Sequence, residues 1–228
     1  MDYLQTDGRA RLLMTTAHLS HEHDAKLTSL FPDGQLRAVR HTGTMVPSLQ
    51  QVFLYFNADK DERLIGLLEK ERQKQRRQEG KRMVMVFVDG AGQARRVHSL
   101  LTEALPAMRP LLLTEATPAQ ERDHVLAVFG HGEQSEAHST RQGGSVSELL
   151  VATDTASRGL DFPQLCHVVL YDVPQTVAAF VHSAGRTARR GQNGVVTCLV
   201  HSKREVGLYG KYAEIHALQP AKKLVFAK

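Results

Sequence analysis

Tryptophan is absent from the 228 residues, and cysteine occurs only twice, at 166 and 198. Two cysteines cannot build the disulfide framework of a small secreted domain, so a reducing compartment is expected. No apolar run approaches the length of about 18 residues that a membrane-spanning helix requires. The opening residues, Met1-Asp2-Tyr3-Leu4-Gln5-Thr6-Asp7, lack the basic start and apolar core of a signal peptide, and an intracellular location is expected. The phosphate-cradling pattern G-x-x-x-x-G-K-[ST] does not occur. Acidic excess is missing too: 29 Lys and Arg stand against 24 Asp and Glu, a net charge of +5. A polyanion partner is permitted by this balance but not named by it. The hydrophobic fraction of 42% is enough to offset chain entropy, which excludes disorder throughout.

From residue 49 to about 213 strand and helix patterns alternate. Strands are expected over 49–56, 83–88, 111–114, 149–153, 166–171 and 195–200, where apolar residues predominate, and 83–88 is apolar throughout. Helices are expected from Asp59, with Leu64, Ile65, Leu67 and Leu68 inward, over 93–104, from Pro118 to Phe129, and over 177–190. Strands apolar on both faces imply an α/β domain whose mostly parallel sheet carries helices on both sides. Ligands in such sheets sit beyond the carboxyl ends of strands, so the loops after Val88, Thr114, Thr153 and Tyr171 are the ones to examine.

Before that domain, 1–48 reads as a short strand at 11–17, a helix from His21 to Leu30, a further strand at 36–39 and a linker. These are too few elements to close a sheet. Residues 214–228 read as a tail. Within 70–82, seven basic residues accompany two acidic ones, either as a solvated helix end or as an RNA-facing patch. The Gly-, Ser- and Gln-rich stretch 130–147 reads as a surface insertion.

Two constellations carry chemistry. The first is Val151-Ala152-Thr153-Asp154-Thr155-Ala156-Ser157-Arg158-Gly159-Leu160-Asp161-Phe162. Here a buried strand opens into a loop holding Asp154, Arg158 and Asp161, with Gly159 free to adopt backbone that other residues resist. An internal salt bridge that shapes the loop is the plain alternative to a binding role. The second is His182-Ser183-Ala184-Gly185-Arg186-Thr187-Ala188-Arg189-Arg190-Gly191. On a helix Arg186 and Arg189 share a face, and Arg190 lies off it. Neighbouring guanidiniums repel unless an anion lies opposite, and phosphate matches their planar fork; separately solvated arginines are the alternative. Together, carboxylates able to accept from ribose hydroxyls and cations able to meet phosphates suit a nucleotide polyphosphate. Without a phosphate cradle, the arginines suggest donation in trans, as an arginine finger does.

Both stretches resemble motifs V and VI of the DEAD-box RNA helicases. Residues 83–88 with Asp89 resemble the motif IV strand, 118–129 falls where the family has its Q-x-x-R-like helix, and Thr15-Thr16-Ala17 lies where the family has motif III. The resemblance implies a RecA-like three-layer domain: 1–48 as the remnant of the first RecA-like domain plus linker, and 49–213 as the helicase C-terminal domain. It implies that Arg186 and Arg189 reach the γ-phosphate of ATP held by the first domain, that Asp161 binds the ATP ribose, and that Arg158 and His182 couple the nucleotide site to the cleft. Thr153 would touch the RNA backbone, and Mg2+ would be held mainly by the first domain. The implied partners are RNA and that first domain, with no membrane and no metal ligands in this chain. Departures from the family pattern are Ser183 after His182, Ala188 for the second glycine, Thr114-Glu115 for a His-Gly pair, and the long 130–147 insertion.

The rival reading is a non-catalytic RNA-binding or scaffold module that kept the fold; the arginine pair separates the two, because a scaffold has no reason to hold both. A DNA helicase of the same superfamily is the third reading, and its motif VI more often starts with Gln than with His182. His18, His21 and His23 read as a surface cluster rather than a metal site, for want of a fourth ligand. Cys166 and Cys198 lie in apolar strands and are expected to be buried, inert thiols.

Overall fold

Seven short and mostly apolar segments form strands among the described residues, and all of them run the same way. The computed structural model describes residues 21–30, 45–77, 83–130, 147–202, 205–207 and 224–226. The chain divides into two units, Met1–Thr42 and Gly43–Lys228. The described element of the first is helix α1 (His21–Leu30). The strands expected at 11–17 and 36–39, the Thr15-Thr16-Ala17 motif and most of the 130–147 insertion lie outside the described residues.

The second unit alternates β1 (Leu49–Tyr55), α2 (Lys60–Arg77), β2 (Met83–Phe87), α3 (Ala91–Ala104), β3 (Leu111–Leu113) and α4 (Ala119–Gly130). It continues with β4 (Leu149–Ala152), α5 (Asp154–Ser157), β5 (Leu165–Leu170), α6 (Val177–Ala184), β6 (Gly194–Val200) and β7 (Leu224–Phe226). The sheet order is β3-β4-β2-β5-β6-β1-β7, parallel at every pairing. Successive side chains on a strand point to opposite faces, so a strand covered on both sides must be apolar throughout. Met83, Met85 and Phe87 of β2 face the layer of α4, α5 and α6, whereas Val84 and Val86 face α2 and α3. Leu64 and Leu68 of α2 are fully buried on that second face, each contributing roughly 1.5–3 kcal/mol. The result is the three-layer α/β architecture expected from the sequence.

Local chemistry sets the helix starts. Asp59 Oδ1 accepts from the amides of Asp61 and Glu62 at 2.7 and 3.2 Å, which caps α2. Thr176 Oγ1 accepts from the Ala179 amide at 3.1 Å and caps α6. Two expectations need correction. Helix was expected over 177–190, but α6 stops at Ala184, and beyond it Ala188, Arg190 and Gly191 take left-handed backbone that a helix cannot include, with φ of 56°, 55° and 76°. Regular structure was expected to end near residue 213, but Leu224–Phe226 pairs in parallel with Phe53–Tyr55 and extends the sheet.

Candidate functional site

The loop leaving β4 is closed by its own side chains. Thr153, at the strand exit, is only 3% exposed, and its hydroxyl has no hydrogen-bond partner among the described residues. Asp154 opens α5; its Oδ2 accepts from Arg158 Nη2 and its Oδ1 from Ser183 Oγ, both at 3.2 Å. The second contact joins this loop to α6 through Ser183. Arg122 of α4 donates to the Ala156 carbonyl at 2.7 Å and holds α5 from the outside. Gly159, with φ of 76°, then turns the chain so that Leu160 presents its carbonyl and Asp161 its carboxylate to the arginines after α6.

Three guanidiniums gather there. Arg186 Nη1 donates to the Leu160 carbonyl at 3.0 Å, and Arg189 Nη1 reaches the same oxygen at 3.3 Å. Arg189 Nη1 also donates to Asp161 Oδ1 at 3.0 Å, while its Nε donates to the Gly185 carbonyl at 2.7 Å. Arg190 Nη2 takes the other carboxylate oxygen, Asp161 Oδ2, at 2.8 Å. Arg186 is 9% exposed, and its Nε has no hydrogen-bond partner among the described residues. The turn is anchored by Thr187, whose hydroxyl donates to the Leu165 carbonyl at 2.6 Å, and by Gly194, which lies against it. Both anchors mark the amino ends of β5 and β6, so these arginines sit on the α5–α6 side of the sheet rather than beyond its carboxyl ends.

The hydrogen bond from Arg189 holds the Asp161 carboxyl below the usual carboxylate range, with Arg190 adding to the effect. Burial lowers the Arg186 pKa, and the Arg189 charge lowers it further. Among the described residues, Arg158, Arg189 and Arg190 pair with two carboxylates, Asp154 and Asp161, and Arg186 lies near both. The cluster therefore keeps an excess of positive charge, part of it buried.

The structure thus brings together Arg158, Asp161, Arg186 and Arg189. It also adds Arg190, which the helical reading had turned away; the left-handed backbone at that residue brings it back. The plain alternative also has its place, since Arg158 and Asp154 do form an internal salt bridge. His182 lies half-buried in the last turn of α6. Thr114 is buried, its amide accepted by the Thr117 hydroxyl at 2.9 Å, and Glu115 is exposed. His18 and the side chains of His21 and His23 lie outside the described residues. Cys198 is fully buried, which pushes its thiol pKa up, whereas Cys166 is only half-buried and donates to the Met83 carbonyl at 3.4 Å.

Two polar networks escaped sequence reasoning. At the carboxyl ends of the strands, Arg96 grips Asp61 with both terminal nitrogens at 2.6 and 3.0 Å, and the Tyr171 hydroxyl donates to Asp61 at 2.6 Å. Lys60 pairs with Asp172 and Glu205, and Asp172 accepts from the Asp89 amide at 2.9 Å. Tyr171-Asp172, a polar pair straight after an apolar strand, was the available signal. Under α2, His167 and Glu71 form a buried pair at 3.6 Å, 2% and 5% exposed, and His167 Nε2 lies 2.8 Å from Thr197 Oγ1. Nothing in the charge run around Glu71 marked it as buried.

A parallel sheet of this order with an arginine turn after α6 defines a RecA-like helicase domain. Residues 59–191 match the helicase conserved C-terminal domain, and the chain belongs to that family. Over 121 residues it is 30% identical to DEAD-box ATP-dependent RNA helicase 35A of Oryza sativa subsp. japonica, covering 53% of this chain and 17% of that protein. It is 29% identical, also over 121 residues, to DEAD-box ATP-dependent RNA helicase 35 of Arabidopsis thaliana, covering 53% and 18%. The chain therefore spans less than a fifth of these relatives. Its fold is like that of S. cerevisiae Dbp5 bound to RNA and ADP BeF3, with a TM-score of 0.70 at 20% identity, covering 88% of this chain and 48% of that one.

Proposed function

We propose that the chain acts as the C-terminal half of an ATP-dependent RNA helicase, in which RNA-stimulated ATP hydrolysis drives local RNA unwinding or remodelling of RNA–protein complexes. The observation that carries this reading is the convergence of Arg186 and Arg189 on the Leu160 carbonyl, with Arg186 buried and its Nε unmet among the described residues. A desolvated guanidinium without a full set of acceptors is costly unless an anion completes it. The γ-phosphate of ATP held by a partner RecA-like domain is such an anion. The guanidiniums would neutralise charge that builds on the transferring phosphoryl oxygens, which is where they lower the barrier most.

In this reading Asp161 accepts from the ribose hydroxyls. Arg158 and His182, on the two segments that Asp154 and Ser183 tie together, relay nucleotide occupancy to the rest of the cleft. Thr153 meets the RNA backbone once its strand exit opens. Mg2+ is held by the first domain of the same protein, and 1–48 belong to the end of that domain. The relatives named above, which are called ATP-dependent RNA helicases, support the reading. A free Cys198 thiol fits a reducing, intracellular setting.

The test is RNA-stimulated phosphate release by the full-length protein and by its Arg186→Ala/Arg189→Ala double variant, with RNA binding measured alongside. Hydrolysis lost with RNA binding kept supports the enzyme. A wild type that binds RNA without hydrolysing ATP supports the scaffold.

A further inference from the structure

Adjacent side chains usually diverge, yet Arg189 and Arg190 meet the same carboxylate from its two sides. Arg189 Nη1 lies 3.0 Å from Asp161 Oδ1, and Arg190 Nη2 lies 2.8 Å from Asp161 Oδ2. The turn achieves this with Ala188 and Arg190 both at positive φ, a region that residues other than glycine seldom occupy. Such conformations persist where surrounding contacts over-determine them, and they cluster at functional sites.

The two arginines differ in how they are held. Arg189 is fixed by three acceptors: Asp161 and the carbonyls of Gly185 and Leu160. Among the described residues Arg190 has Asp161 alone, and its side chain is 70% exposed. Arg189 by itself would leave one carboxylate oxygen open to a hydroxyl donor. Arg190 places a planar cation there instead. An exposed pair of this kind is weak, so an incoming group can displace it.

We propose that Arg190 restrains nucleotide binding by occupying Asp161, the carboxylate assigned to the ribose, and that a nucleoside triphosphate must displace it to dock. Arg190 is then a residue that sets nucleotide affinity through Asp161, distinct from the two arginines assigned to the γ-phosphate. The inference rests on the nucleotide reading proposed above.

The experiment titrates the full-length protein, with saturating single-stranded RNA, using a non-hydrolysable β,γ-imido ATP analogue and its 2′,3′-dideoxy form. Wild type is compared with Arg190→Ala and Arg190→Gln, and a thermal melt monitors the fold. Loss of Arg190 is expected to tighten the ribose-bearing analogue about twofold to fivefold. Binding of the dideoxy form should stay as it was, so that discrimination between the two widens by the same factor. Unchanged or weaker binding, or equal tightening of both analogues, overturns the inference while leaving the nucleotide reading intact. A wild type that binds neither analogue overturns the nucleotide reading, and the restraint with it.

Discussion

Arg186 and Arg189 share one acceptor, the Leu160 carbonyl, at 3.0 and 3.3 Å. A single peptide oxygen thus holds two like charges side by side, with Asp161 as the counter-charge on Arg189. The pair is preorganised, so little rearrangement is needed when an anion arrives.

Asp161→Ala removes the proposed ribose acceptor and one of three contacts on Arg189. The carbonyls of Gly185 and Leu160 still hold that guanidinium. Since a ribose contact is similar in ground and transition states, the variant should raise the ATP KM several-fold and leave kcat within about fivefold. Steady-state kinetics with saturating RNA decides this. A collapse of kcat at unchanged KM contradicts it.

Gly194 lies under the arginine turn. A Cβ there would come 2.5 Å from both the Ala188 amide nitrogen and Thr187 Oγ1, and the first of these is backbone that cannot swing away. Gly194→Ala should destabilise the domain by about 1–3 kcal/mol, the usual cost of overpacking. Chemical denaturation of the 228-residue chain measures it. A variant as stable as wild type would mean that the turn packs less tightly against β6 than described.

Glu71 supplies a pH dependence. Burial raises its pKa, but the adjoining His167 and the hydrogen bond from Lys74 outweigh burial and bring it from 4.5 to about 2. A carboxyl held lower in the fold than in the unfolded chain adds stability that is fully present above about pH 4.5. That stability is lost as pH falls through the folded value near 2. Glu71→Gln should lower stability at neutral pH by about 1–3 kcal/mol and flatten the acid limb below pH 4.5. Unfolding curves at several pH values check it, and an unaltered acid limb in the variant contradicts it.

The 228-residue chain on its own should hydrolyse ATP negligibly. Its sequence contains no G-x-x-x-x-G-K-[ST], and that loop with its metal supplies most of the positioning in phosphoryl transfer. RNA-stimulated phosphate release by this chain alone would sink the expectation.

What sequence could and could not reveal follows from range. The strands around Val84–Val88, Leu149–Ala152 and Val168–Leu170 were legible because burial on both faces demands unbroken apolar runs. Helix α2 was legible from Asp59 and the spacing of Leu64 and Leu68. Strand β7 was not, because three apolar residues become a strand only beside Phe53–Tyr55, far away in sequence. The helical period through Arg186–Arg190 misled, since spacing cannot report the left-handed turns at Ala188 and Arg190. Glu71 sits among basic neighbours and reads as solvated, and only His167 on β5 reveals its burial. The candidate arginines were legible as residue types, but their convergence on Leu160 needed the fold.

The most direct measurement is kcat and ATP KM of full-length Arg186→Ala and Arg189→Ala at saturating RNA, each with a thermal melt. If these arginines neutralise charge developing on the γ-phosphoryl group, each variant should lose kcat by at least about 10²-fold, a cautious fraction of the roughly 10³–10⁵ that arginine fingers supply. KM should move far less, and the fold should persist. Near wild-type kcat in either well-folded variant would contradict the account and leave the scaffold reading in its place.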